Sequence, residues 1–241
     1  MKHEADLAGL LTRYLDELGI PIPGGVTATL VRHLEWLLAE NAKVNLTAIT
    51  DPRAAVRLHT VDSLVPLEEL RTAPEGAMLD IGTGGGFPGI PLAVATGRTA
   101  VLLDSVRKKC NAVAEFVAGE GLDGQITVIP ARAEELSRER PEAFSAVTVR
   151  AVSELPSIVE LAAPLLHDSG ILVALKARIE VDELERGRAA GEMVGLEFVS
   201  SRTVELPGGG ELRTVLVFRK TGPSSVHLPR RIGMAQKRPL A

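Results

Sequence analysis

Cysteine is nearly absent from this chain. One residue in 241, Cys110, excludes an internal disulfide framework and a cysteine-built zinc site, and it suits a reducing compartment. No apolar run reaches membrane-spanning length, and the opening Met1-Lys2-His3-Glu4-Ala5-Asp6 lacks the layout of a secretion signal. A cytoplasmic, metal-free monomer away from membranes is therefore expected. No G-x-S-x-G element is present, which removes the nucleophile elbow of a serine hydrolase. Acidic residues are missing altogether after Glu211.

What is present is the composition of an ordinary globular protein, 45% hydrophobic and 24% charged, enough to bury a sizeable core in one main domain plus an extension. The formal charge of −4 hides an asymmetry. Arg213, Arg219, Lys220, Arg230, Arg231, Lys237 and Arg238 follow the last acid, so the preceding chain sets 20 basic against 31 acidic residues. A basic strand and tail on an acidic body suit an RNA-binding edge, with Arg230, Arg231, Lys237 and Arg238 as candidate phosphate contacts; a solvated tail that aids solubility explains the charge equally well.

Along the chain, Leu7, Leu10, Leu11, Tyr14, Leu15 and Leu18 recur at helical spacing up to Gly19, and a second helix is predicted over 27–40. A polar stretch follows, Asn45-Leu46-Thr47-Ala48-Ile49 and then His59, Asp62 and Ser63. On a helix, His59 and Asp62 share a face, as a surface hydrogen bond or as a catalytic couple.

The centre of the chain is Asp80-Ile81-Gly82-Thr83-Gly84-Gly85-Gly86-Phe87-Pro88-Gly89. It reads as a buried strand, a glycine turn that lets backbone approach a ligand, and a helix start. The dinucleotide fingerprint G-x-G-x-x-G fails at its third glycine, where Phe87 stands. Asp80, just before the loop, would repel a pyrophosphate but not a donor with cationic ammonium and sulfonium groups. The loop therefore favours S-adenosylmethionine over NAD, with Asp80, Gly82 and Gly84 as candidate contacts.

Strand signals at 77–80, 100–104, 126–129, 145–150 and 170–176 alternate with helical ones, then two strand-like runs flank Pro207-Gly208-Gly209-Gly210. This predicts an α/β fold, a mostly parallel seven-stranded sheet closed by an antiparallel hairpin, the arrangement of class I methyltransferases. The expected organisation is a helical extension over 1–72, a donor-binding domain over 73–222 and a basic tail over 223–241. In such sheets ligands bind beyond the carboxyl ends of the strands. Asp104, ending the second strand, can accept both ribose hydroxyls or cap the next helix. Ala133 and Glu134, after the third, can frame an adenine edge, or Glu134 can be a first-turn helix acid. Arg150 and Lys176, ending the fourth and fifth, are candidates for the substrate side; an ion pair of Arg150 with Glu134 or Asp104, and a solvated Lys176, are the alternatives.

The end of the fourth strand, Val149-Arg150-Ala151, carries no proline-rich aromatic motif of the kind that grips a base amine, and Cys110 falls on a helix away from the strand ends, where it cannot activate a pyrimidine carbon. A ring nitrogen with a free lone pair needs neither device. Guanine N7 is one, and Arg150 and Lys176 could orient its base through O6. On the residues alone, a small-molecule methyltransferase of this fold and a non-catalytic RNA-binding protein remain open.

Taken together, these stretches resemble the ribosomal small subunit methyltransferase G family, also called glucose-inhibited division protein B. The resemblance rests on Asn45 to Ile49, His59-x-x-Asp62-Ser63, Asp80 to Pro91, Leu103-Asp104-Ser105 with Lys108, Arg132-Ala133-Glu134, Arg150-Ala151, Leu175-Lys176 and the closing Pro229-Arg230-Arg231-x-Gly233-x-x-x-Lys237-x-Pro239-Leu240. It implies a class I fold, methylation of N7 of a guanine in 16S rRNA within the small ribosomal subunit, and donor contacts from Gly82, Phe87, Ala133, Glu134 and Arg150. Phe87, read from the loop alone as a failed glycine, becomes an apolar wall for the donor. After Lys176, where the family usually has glycine, this chain has Ala177.

Overall fold

A computed structural model describes residues 6–241. Two helices open it, α1 (Leu7–Glu17) and α2 (Val26–Val44). Asp6 caps the first by accepting the Gly9 N–H at 2.8 Å. The second ends at Asn45 in the left-handed conformation. A short α3 (Pro52–Ala55) leads into a π-helical turn (Val56–Val61), then α4 (Asp62–Leu64) and α5 (Leu67–Arg71). The wider turn is the one that carries His59.

The remainder alternates strand and helix: β1 (Met78–Ile81), α6 (Gly89–Thr96), β2 (Ala100–Asp104), α7 (Arg107–Gly119), β3 (Ile126–Pro130), α8 (Ala133–Glu139), β4 (Phe144–Arg150), α9 (Leu155–Ala162), β5 (Leu166–Lys176) and α10 (Val181–Val194). The chain closes with β6 (Leu196–Glu205), β7 (Leu212–Lys220) and α11 (Met234–Lys237). The seven strands run in the order β3-β2-β1-β4-β5-β7-β6, parallel from β3 to β5, with β7 antiparallel to both of its neighbours. The central strands are buried on both faces, as a sheet with two helical covers requires.

Each face has its own apolar cluster. Leu11, Leu30, Leu34, Leu37 and Leu64 from the N-terminal helices join Met78, Leu102 and Val173 on one side. Leu79, Val147, Leu172 and Phe218 meet Ile158 and Val194 on the other. The N-terminal helices thus share a core with the sheet. The C-terminal segment is also docked, with Ala235 buried in the second cluster and Leu240 packed against it. Among the described residues no helix is long and apolar enough to cross a membrane.

Candidate active site

The strand order reverses between β1 and β4, which opens a crevice beyond their carboxyl ends. Two cavities occupy it and share one residue, Ala151. The backbone of Ala151 is left-handed, with φ +56°, a conformation that costs a residue with a Cβ and that persists where its surroundings enforce it.

The smaller cavity, about 270 Å³, lies before β1, β2 and β3 and is lined by Gly82, Gly84, Asp104, Ala133 and Glu134, among others. Gly84 has φ +57°, and a Cβ added there would meet nothing within 4 Å, so the turn leaves an open cradle. Asp104 holds that turn. One oxygen accepts the Gly84 N–H at 3.0 Å and the other accepts the Val106 N–H at 2.8 Å. Each oxygen keeps a further lone pair for a ligand diol. A buried Cys110 lies behind, its thiol 3.2 Å from the Asp104 carbonyl. An open glycine cradle, a two-oxygen acceptor and the small Ala133 form a donor set that fits a nucleoside.

Three expected donor contacts are placed elsewhere. Asp80 is fully buried beneath the loop, where it accepts the Gly89 N–H at 2.9 Å and the Thr148 hydroxyl at 3.1 Å. It is a strut for the turn rather than a cavity wall, and desolvation raises its pKa to about 6. Phe87 turns inward and stacks on His33 at a ring-centroid distance of 4.1 Å, with His59 at 5.1 Å. It pins the loop to α2 instead of walling the smaller cavity. Arg150 belongs to the other chamber. Glu134 does line the smaller cavity, but one of its oxygens accepts the Gly233 N–H at 2.7 Å from the C-terminal segment.

The larger cavity, about 450 Å³, is walled by Leu58, His59, Asp62, Arg150, Ala151, Leu175, Lys176, Ala177, Arg178 and Arg213. Asp62, 2% exposed, gives the His59-x-x-Asp62-Ser63 stretch its meaning. It accepts from Arg150 Nη1 at 2.9 Å and Arg213 Nε at 2.6 Å. The ion pairs of Arg150 with Glu134 or Asp104 are therefore not formed. Lys176 is not a solvated strand end: its Nζ donates to the Ser153 carbonyl at 3.0 Å and pairs with Glu183 at 2.7 Å, leaving one of its three N–H groups. Four cations against two carboxylates leave the chamber electropositive.

His59 has its Nε2 2.7 Å from the Thr47 hydroxyl. Burial and the neighbouring Arg150 lower its pKa to about 4, so it is neutral near pH 7. His33, fully buried, uses Nε2–H toward the Gly85 carbonyl at 2.8 Å, and burial lowers its pKa to about 3. Lys108 donates to the Lys43 carbonyl at 2.6 Å, satisfying the end of α2. These bonds account for several polar residues of the N-terminal stretch as supports of the glycine loop and its neighbours.

Arg230 is corrected as well. Its guanidinium is bound to the buried Glu160, with Nε 2.7 Å from one carboxylate oxygen, so it is a tie and not a free phosphate contact; Arg231, Lys237 and Arg238 are exposed. Arg178 and Arg213 also line the larger cavity. Arg213 was visible in the sequence only as one of the late cations, because nothing local relates it to an acid 151 positions away. Among the described residues no three His, Cys, Asp or Glu side chains gather as a metal site.

Comparison with known proteins adds three findings. A family model described as rRNA small subunit methyltransferase G matches residues 27–207. Curated proteins named ribosomal RNA small subunit methyltransferase G are similar over nearly the whole chain: that of Deinococcus radiodurans is 38% identical, covering 96% of this chain and 92% of the relative, and that of Symbiobacterium thermophilum 36% identical, covering 96% and 97%. Among solved structures, an O-methyltransferase from Bacillus cereus in complex with SAH has a TM-score of 0.56 at 18% identity, covering 86% of this chain and 96% of that one, a likeness of fold alone.

Proposed function

From the premise that the chain belongs to the rRNA small subunit methyltransferase G family, we propose that it transfers a methyl group from S-adenosylmethionine to N7 of a guanine in 16S rRNA of the small ribosomal subunit. The observation that carries this reading is the pair of chambers meeting at Ala151, one lined for a nucleoside and the other cationic. The donor supplies an electrophilic methyl carbon on a sulfonium. Gly82 and Gly84 would give its cradle, Asp104 would accept its ribose hydroxyls, and Ala133 and Glu134 would frame its base.

The guanine enters the cationic chamber. N7 carries a lone pair and no proton, so it would take the methyl group directly, leaving the donor's sulfur as a neutral thioether, and no base is required. His59, neutral and held by Thr47, serves as wall and adds no cation beside a purine that becomes positive. Arg150 and Lys176 orient the base through O6 with the N–H groups that their internal bonds leave free. Asp62 fixes Arg150 and offsets its charge, while Arg178 and Arg213 face the flanking phosphates. Accelerating such a transfer rests on alignment and exclusion of water.

The test is methylation of small subunits that lack the mark, followed by borohydride and aniline treatment, which cleaves RNA at 7-methylguanine. One aniline-sensitive guanine is expected. Methyl incorporation without aniline cleavage would overturn the N7 assignment, and no incorporation into either naked 16S rRNA or subunits would overturn the substrate.

A further inference from the structure

We infer that the C-terminal segment 229–241 is a fixed wall of the donor chamber rather than an arm that reaches for RNA, and that Gln236 is the residue with which it touches the donor. The inference rests on the reading of the smaller cavity as the donor site.

Four observations carry it. Gln236 lines the smaller cavity together with Gly84, Asp104 and Ala133. The segment is anchored immediately before that residue: Ser157 donates its hydroxyl to the Ala235 carbonyl at 2.8 Å, and Ala235 is 2% exposed. Glu134, on the cavity wall, accepts the Gly233 N–H at 2.7 Å. Arg230 neutralises Glu160, itself 3% exposed, and the same Nη2 that pairs with that carboxylate also donates to the Arg238 carbonyl at 2.7 Å, drawing 230 and 238 together.

Releasing the segment would leave the Glu160 carboxylate buried without its cation, a costly state. The basic residues of this stretch therefore divide into Arg230, which holds the fold, and Arg231, Lys237 and Arg238 on its outer side. A glutamine is suited to this rim. Its amide oxygen accepts from an exocyclic amine while its amide N–H donates to a ring nitrogen, the pairing by which amide side chains read adenine. Glu134, occupied in part by Gly233, positions the segment, and Gln236 supplies a polar edge toward the purine.

The experiment is calorimetric titration of S-adenosylhomocysteine into the full-length protein, Gln236→Ala and Asp104→Asn, with binding of 16S rRNA fragments measured alongside. Gln236 is exposed in the free protein, so the alanine variant should melt at the wild-type temperature. Gln236→Ala is expected to weaken binding of the nucleoside about tenfold, the size of one lost two-point amide contact, with RNA affinity unchanged. Unchanged nucleoside binding in Gln236→Ala while Asp104→Asn binds more weakly would overturn the wall and keep the chamber. Wild-type binding in both variants would remove the donor chamber and the inference with it. Loss of RNA affinity in Gln236→Ala with nucleoside binding intact would return the segment to RNA.

Discussion

Asp62 and Arg213, on the fourth helix and the last strand, meet at 2.6 Å across 151 residues of sequence, and the same carboxylate holds Arg150 at 2.9 Å. The N-terminal helices are therefore part of the wall of the larger cavity, the proposed substrate chamber. Asp62→Ala should leave two guanidinium groups clustered without their counter-charge and lower stability by about 3 kcal/mol, as for other broken buried pairs. Urea unfolding measures that loss. In the material that remains folded, the KM for RNA should rise more than S-adenosylhomocysteine binding weakens, since the damage falls on the other chamber.

The glycines of the loop should separate by role. Gly84→Ala places a methyl group in open space at φ +57°, at a conformational cost of about 1 kcal/mol, and projects it into the proposed donor chamber. Melting should change little and nucleoside binding should fall. A Cβ at Gly89 would collide with the Leu102 side chain and stand 2.8 Å from Asp80 Oδ2, so Gly89→Ala should lower the melting temperature markedly. Equal melting of the two variants would contradict this division.

Stability should depend on pH in two opposed ways. Asp80, raised from 3.8 to about 6 by desolvation, binds more proton in the folded than in the unfolded chain between those values, so its contribution falls as pH rises through that window. Asp80→Asn removes the titration while an amide can still accept from Gly89 and donate to Thr148. Relative to wild type, the variant should gain up to about 3 kcal/mol between pH 4 and 7, read by denaturant unfolding at each pH.

His33 and His59 act with the opposite sign. Burial lowers them from 6.5 to about 3 and about 4, so the unfolded chain binds more proton below 6.5 and the stability they contribute is lost as pH falls toward their folded values. Wild-type protein should lose stability on acidification below pH 6.5, and Thr47→Val, which removes the hydroxyl beside His59 Nε2, should weaken methyl transfer more than it changes that profile.

Arg230→Ala should lower stability by about 3 kcal/mol, because Glu160 remains buried and unpaired. Adding Glu160→Gln should recover part of the loss by removing the stranded charge, a coupling that a double-mutant cycle measures directly.

The order of elements was legible because it is local. The strand ends read at Asp104, Arg150 and Lys176 fall at the last positions of β2, β4 and β5, and the hairpin flanks the predicted glycine-rich turn. The placing of individual side chains was less legible. Asp80 and Phe87 belong to the glycine loop yet face into the packed layers behind it, since the turn's direction depends on α2 and β4, which are distant in sequence. Cationic residues were equally visible in the tail and the strands, but only Glu160 distinguishes Arg230 from Arg231.

The glycine loop and the alternation of strands and helices, by themselves, determined the α/β class, the kind of donor loop and the strand ends where ligands meet, because strand period, turn chemistry and helix starts are set within a few residues. The tertiary structure alone decided that Asp62 braces two arginines, that Phe87 supports the loop from behind, and that the basic tail lies folded against the smaller cavity. Those are contacts between charges and rings brought together only by burial, and no spacing along the chain encodes them.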